Sequence, residues 1–127
     1  VEIEEAIVTR LAAQVPSLSG KIYPAFDAPE NIPLPYCTYQ RISTSRYETL
    51  TEAGSFEPVF QFNIYNTTYT NMRSLRKSVR QAFEDVLGEY AAGAPYVQRV
   101  TIESEFDGYD TETDAHSGIL EISFFYN

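Results

Sequence analysis

Met72, Leu75, Val79, Ala82, Phe83, Val86 and Leu87 recur at three- and four-residue steps. That spacing gathers all seven side chains on one stripe of an α-helix, and so wide an apolar stripe must be covered by a second layer. Thr67 or Thr68 stands where an N-cap belongs and Gly88 where a helix stops, so the reading is a helix over roughly 69–88. Ile3, Ile7, Leu11 and Val15 form a shorter stripe with Val8 beside it, and Glu2, Glu4 and Glu5 sit where a helix dipole favours acids. Pro16 and "SLSG" close it, which predicts a first helix over roughly 3–15.

The covering layer shows as period-two alternation. Phe60, Phe62 and Ile64 oppose Gln61 and Asn63; Val100, Ile102 and Phe106 oppose Thr101, Glu103 and Glu105; Leu120, Ile122, Phe124 and Tyr126 oppose Glu121 and Ser123. "YCTYQRIS" has strand composition with poorer alternation, and "KIYPAF" is a short apolar piece, read as a short strand, before a proline-rich connection, "PAFDAPENIPLP". "TSRYETLTEAGS" reads as a long polar loop between the two central strands. The expectation is an α+β two-layer sandwich in one domain over 1–127. Its sheet is mainly antiparallel, of about four to five strands, with both helices on one face.

Charge is unevenly spread. Of the net −9, seven acids without a lysine or arginine fall between Val100 and the C-terminus: Glu103, Glu105, Asp107, Asp110, Glu112, Asp114 and Glu121. The opposite bias lies in "MRSLRKSVRQ", where Arg73, Arg76, Lys77 and Arg80 have no acid among them. Cations in the first half of a helix oppose its dipole, and the Arg80–Glu84 spacing recovers little. The basic strip therefore points to a partner, beside the plainer reading of a solvated helix face. An acidic chain repels polyanions, so sequence-specific nucleic-acid binding is not expected. No apolar run approaches the ~20 residues of a membrane span, and no signal peptide is read at the start. A lone Cys37 excludes an internal disulfide and suits a reducing compartment, where the Asn66-Thr67-Thr68 sequon stays idle.

Chemistry has few footholds. Asp110, Glu112, Asp114 and His116 alternate before Glu121 as EF-hand ligands do, but Ala115 occupies the position that needs glycine, and the flanks are strands. One His and one Cys make a poor zinc set. A Cys37–His116 dyad is open from sequence alone, although nothing near Cys37 would lower its pKa; a buried, inert thiol is expected. "DGYDTETDAHSG" reads as a solvated hairpin tip. No catalytic residue, metal or cofactor is assigned.

Ten tyrosines and eight phenylalanines are a heavy aromatic load. Tyr36, Tyr39, Tyr47 and Tyr65 lie in or beside the central strand pair. Tyr39 and Tyr65 are read on the face opposite Ile42 and Phe60/Phe62/Ile64, alongside Arg41, where Tyr and Arg would suit an interface.

"LPYCTYQRIS", "NIYNTTYTNMRSLRKSV" and "YDTETDAHSGILEISFFY", in this order, resemble the small tail-completion proteins of long-tailed bacteriophages and prophages, relatives of the tail terminators. The resemblance spans almost the full chain and implies a small α+β sandwich. It implies a structural virion protein in a ring of six around the DNA path, between head connector and tail tube, with DNA passing through unbound. Some members are monomers that form rings only on meeting a partner. On this reading Arg73, Arg76, Lys77 and Arg80 meet acids of a neighbour, and Arg46, Tyr47, Tyr39 and Tyr65 add interface. Glu103, Glu105, Asp110, Glu112 and Asp114 face the channel or an adjacent subunit, and "TSRYETLTEAGS" orders on docking. Assembly would take place in the host cytoplasm, away from membranes. Rival readings are a tail terminator, a small cytoplasmic ligand-binding module, and, last, a hydrolase or metal enzyme.

Overall fold

A computed structural model describes residues 2–29, 31–47, 54–111 and 114–126. The elements run α1 (Ile3–Gln14), a 3-10 turn (Pro16–Leu18), β1 (Ile22–Pro24), β2 (Tyr36–Tyr47), β3 (Ser55–Asn66), α2 (Tyr69–Phe83), β4 (Gly88–Glu89), β5 (Tyr96–Asp110) and β6 (Ala115–Tyr126). The strands form one six-stranded sheet in the order β1-β2-β3-β6-β5-β4. β1 pairs parallel to β2 and all other pairs are antiparallel. The expected α+β class stands, with two corrections: the sheet has six strands instead of four to five, and it is mixed. β1 and β4 are two or three residues long. Alternation cannot show itself over so few positions.

The apolar sets meet as a single core. Phe60, Phe62 and Ile64 of β3 and Leu120, Ile122 and Phe124 of β6 are fully buried under Ile7 and Leu11 of α1 and Leu75, Val79 and Phe83 of α2. Each buried Phe or Leu contributes about 1.5–3 kcal/mol over an exposed one. α2 starts where Thr68 Oγ1 accepts the Asn71 N–H at 3.1 Å. It ends at Phe83, short of the expected 88, because Asp85 turns to φ +58° and the chain leaves the axis. Val86 is only half-buried and Leu87 is 54% exposed, so the last two members of the stripe lie past the helix. Arg10 of α1 donates from Nε to Ala82 O at 2.6 Å, tying one helix to the unsatisfied carbonyls at the end of the other.

The strands run further than expected. Thr44, Ser45, Arg46 and Tyr47 pair with Pro58, Glu57, Phe56 and Ser55, so both ends of the expected loop "TSRYETLTEAGS" are sheet. Its centre, 48–53, lies outside the described residues, as does Glu112.

Three bulges interrupt the ladders, and two of them reassign faces read from the sequence. β2 skips a partner at Ile42, and β5 skips partners at Gln98 and Glu103. In β2, Tyr39 stands opposite Phe62 and Arg41 opposite Phe60, which puts both on the helix side, Arg41 with its guanidinium 5.3 Å from the Phe60 ring. The expectation that Tyr39 and Arg41 share the outer face is therefore wrong: Ile42, taken as the marker of the core side, is the extra residue of the bulge. Tyr65 does lie outward, stacked on Tyr36 at 4.6 Å. In β5, Val100 and Ile102 face the helices, but beyond Glu103 it is Glu105, opposite Leu120, that does so. Phe106 pairs with Ile119 on the outer face and is 45% exposed, against the expected single face for Val100, Ile102 and Phe106. An extra residue in one strand breaks the period of two and bends the strand.

Candidate functional site

The Glu103 bulge gives the basic helix its counter-charges. With Glu105 and Asp107 turned to the helix side, α2 presents Arg76 and Arg80 directly to them. Arg76 Nη1 lies 2.6 Å from Asp107 Oδ1 and donates to Phe106 O at 3.0 Å, while its Nε stands 3.7 Å from Glu105 Oε1. Arg80 Nη1 meets Glu105 Oε2 at 3.0 Å. Arg80 Nε is 3.2 Å from Glu84 Oε2, a charge contact that lacks hydrogen-bond geometry. Tyr69 donates its hydroxyl to Asp107 Oδ2 at 3.2 Å. Arg76, whose charge opposes the helix dipole, is thus balanced across the layer, and Arg80 lies in the last turn, where the dipole favours a cation.

Such close packing needs Gly118. It lies between Ile64 and Asp107 in register, and a Cβ there would come 2.4 Å from Met72 Sδ and 3.0 Å from Arg76 Cδ. Sequence reasoning missed both Gly118 and Asp107. The one legible signal was a glycine inside a strand, which marks close backbone approach.

Arg73 and Lys77 differ from their neighbours. Both are exposed, one helical turn apart, and neither is in an ion pair among the described residues. With Arg76, Arg80 and Glu105 they line a cleft of about 350 Å³, and with Thr70 and Ser74 a second depression of about 240 Å³. The site is a shallow, cationic surface suited to carboxylates.

The other expected site residues lie elsewhere. Arg46 packs over the Phe56 ring at 5.6 Å, and Tyr47 closes the β2–β3 ladder opposite Ser55. Tyr39 is half-buried, its hydroxyl pKa raised by burial and then by Glu4. Glu103 is exposed at its bulge. Asp110 ends β5 opposite Ala115, and Asp114, at φ +55°, accepts the Tyr109 hydroxyl. Tyr65 is on the opposite side of the sheet from α2, so the eight interface candidates do not form one patch.

Cys37 and His116 are held on strands separated by β3. Burial pushes the Cys37 thiol up to about 12, and it donates to Thr38 O at 3.5 Å. His116 sits edge-on to the rings of Tyr109 (4.9 Å) and Tyr69 (6.2 Å). Among the described residues no three His, Cys, Asp or Glu side chains converge as metal ligands.

Asp107 is held below the usual carboxylate range, first by its hydrogen bond from Arg76; desolvation opposes this, and the Arg76 charge, the Tyr69 hydroxyl and the Arg73 charge add to the lowering. A lowered folded pKa stabilises the fold above 3.8, and that contribution is lost as pH falls through the folded value. Asp107→Asn is therefore less stable than the parent in urea titrations near neutrality, and the two curves converge in acid. A constant gap down to the acid transition would show that the pairing adds nothing.

No curated protein matches the chain. Solved structures share its fold, among them two from phage-like particles. A chain from the virion of a native gene transfer agent particle superposes with TM-score 0.70 at 14% identity, over 98% of this chain and 93% of that one. The gp17 protein of bacteriophage SPP1 superposes with TM-score 0.58 at 18% identity, over 98% of this chain and 88% of that one. The sequence profile of a family described as tail completion protein gp17 matches residues 5–127, from the first turn of α1 to the last residue. A match of that extent places the chain in a family of structural phage proteins: it belongs to the tail completion protein gp17 family.

Proposed function

We propose that this chain closes the phage head–tail joint as one subunit of a ring of six, linking head connector to tail tube around the DNA path without chemistry of its own. Family membership gives the coarse part, a structural virion protein of the head–tail junction. The observation that supports the finer part is that Arg73 and Lys77 are exposed beside a polar cleft and in no ion pair among the described residues. Arg76 and Arg80 have acids of their own chain, so the docking charges narrow to these two. Their partner is a carboxylate-bearing surface of a neighbouring subunit or of the head or tail protein that abuts it. Assembly takes place in the host cytoplasm and ends in the virion.

The test is Arg73→Glu with Lys77→Glu. Both side chains are exposed, so the unfolding free energy stays within about 0.5 kcal/mol of the parent. Close charge pairs across an interface couple by about 1.5 kcal/mol or more, so reversing two lowers the yield of joined particles at least a hundredfold. Electron micrographs of lysates should show filled heads beside separate tails of normal length. Tails of uncontrolled length would favour the terminator role, and undiminished joining would remove the basic face from the interface.

A further inference from the structure

The two edges of the sheet are stepped, in opposite senses. β1 flanks β2 only at Cys37, Thr38 and Tyr39, so from Arg41 to Tyr47 no strand lies outside β2 among the described residues. β4 flanks β5 only at Tyr96 and Val97, which leaves Arg99 to Asp110 open. Partner-by-partner passage across the sheet fixes the levels. Ile22 leads through Cys37, Ile64 and Gly118 to Asp107, and Tyr23 through Thr38, Asn63 and Ile119 to Phe106. Gly88 leads through Val97, Tyr126 and Phe56 to Arg46. β1 thus projects at the level where β5 is uncovered, and β4 projects where β2 is uncovered.

We propose that adjacent copies interlock through these steps, β1 of one copy filling the notch beside β5 of the next, and β4 of that copy filling the notch beside β2 of the first. This rests on the ring reading above and specifies its joint. A rotation about an axis along the strands keeps strand directions, so β1 meets β5 antiparallel and β4 meets β2 parallel. The contact is heterologous, as a closed ring requires. Charge favours it: β1 and β2 carry Arg41 and Arg46 and no acid, while β4 and β5 carry Glu89, Glu103, Glu105, Asp107 and Asp110 against Arg99 alone. Glu89 and Glu103 are exposed and in no ion pair among the described residues.

Apolar surface favours it too. Phe106 is 45% exposed, and across the joint it lies level with Tyr23 on the same sheet face. The bonds from Cys37 N to Lys21 O and from Ala25 N to Tyr39 O fix which residues of β1 turn inward. By alternation the N–H and C=O of Ile22 turn outward, toward the neighbour. Pro24 has no N–H to offer, which keeps this ladder short. The joint is therefore a brief strand contact flanked by an aromatic pair and opposite charges. Open edges elsewhere in proteins are templates for pairing, and here the steps restrict that pairing to one register.

The experiment supplies Tyr23→Cys, Phe106→Cys or the double variant in place of the parent in phage-producing cells, then oxidises purified particles with diamide. Cys37 is fully buried, so neither single variant alone gives a linked product. An equal mixture of the two single variants gives covalent dimers, and the double variant gives a ladder ending at the closed ring. Thermal melts of each variant confirm that it is folded. Ring-sized products from a lysine-reactive linker without any link between positions 23 and 106 overturn this joint and leave the ring standing. Monomers only, by both chemistries in whole particles, overturn the ring reading and the joint with it.

Discussion

Phe83→Ala lowers the unfolding free energy by about 3–5 kcal/mol, the cost of emptying a fully packed aromatic site. Phe83 is fully buried at the end of α2, where three ring contacts converge on it. It stacks on Phe62 at 5.7 Å and meets Phe124 edge-on at 5.4 Å and Tyr90 at 5.7 Å. One side chain thus joins α2 to β3, to β6 and to the segment that follows the helix. Tyr90 returns its hydroxyl to Val86 O at 2.8 Å, so the turn after α2 is fixed from the same cluster. Domains of this size have about 5–15 kcal/mol in total, so the variant is marginal at 37 °C and its melting temperature falls by roughly 10–20 °C. Phe83→Leu retains most of the volume and loses much less. Urea unfolding of both variants reads this directly, and a loss under 1 kcal/mol for alanine would mean that the site collapses around the gap.

Gly118→Val acts by the opposite route, by adding volume where there is none. The new Cβ falls 2.4 Å from Met72 Sδ and 3.0 Å from Arg76 Cδ, both below ordinary contact. Met72 is fully buried and has nowhere to swing, and Arg76 is held at Asp107 and Phe106 O. Relief requires α2 to lift from β6 or the Arg76 bonds to break. Overpacking of a filled core costs about 1–3 kcal/mol, and losing a charge-assisted hydrogen bond adds about 1.5–3. The variant therefore approaches Phe83→Ala in severity while deleting nothing. Combining it with Met72→Ala, which opens the space that valine needs, recovers part of the loss. If the double variant is as unstable as the sum of its parts, the clash is not with Met72.

The alternating run of β3 and the stripe of α2 were legible because each holds one period over most of its length and burial follows it; in β6 burial keeps the period from Gly118 to Phe124 apart from Ser123. The faces of Tyr39, Arg41 and Phe106 were not legible. Each depends on whether a bulge lies before it, and Ile42 and Glu103 have nothing in their side chains to announce one. The candidate site inherits this. Four cations on α2 were readable, and so was the excess of acid in β5. That Glu105 and Asp107 take Arg76 and Arg80 follows only once Glu103 has shifted the phase. β1 was read only as a short apolar strand in "KIYP", and β4, two residues long, has no pattern to read. The long family resemblance supplied what local chemistry lacked.

The bulges also set where the gene tolerates a lost codon. Deleting Ile42, Gln98 or Glu103 removes a residue that has no partner, and every downstream pair in β2 or β5 keeps its mate. The same deletion at Thr101 or Leu120 slides all following residues by one place and turns the core face outward. Length variants of this protein that still assemble should therefore cluster at those three positions. They would have straighter strands and a flatter sheet, a change in curvature without a change in pairing.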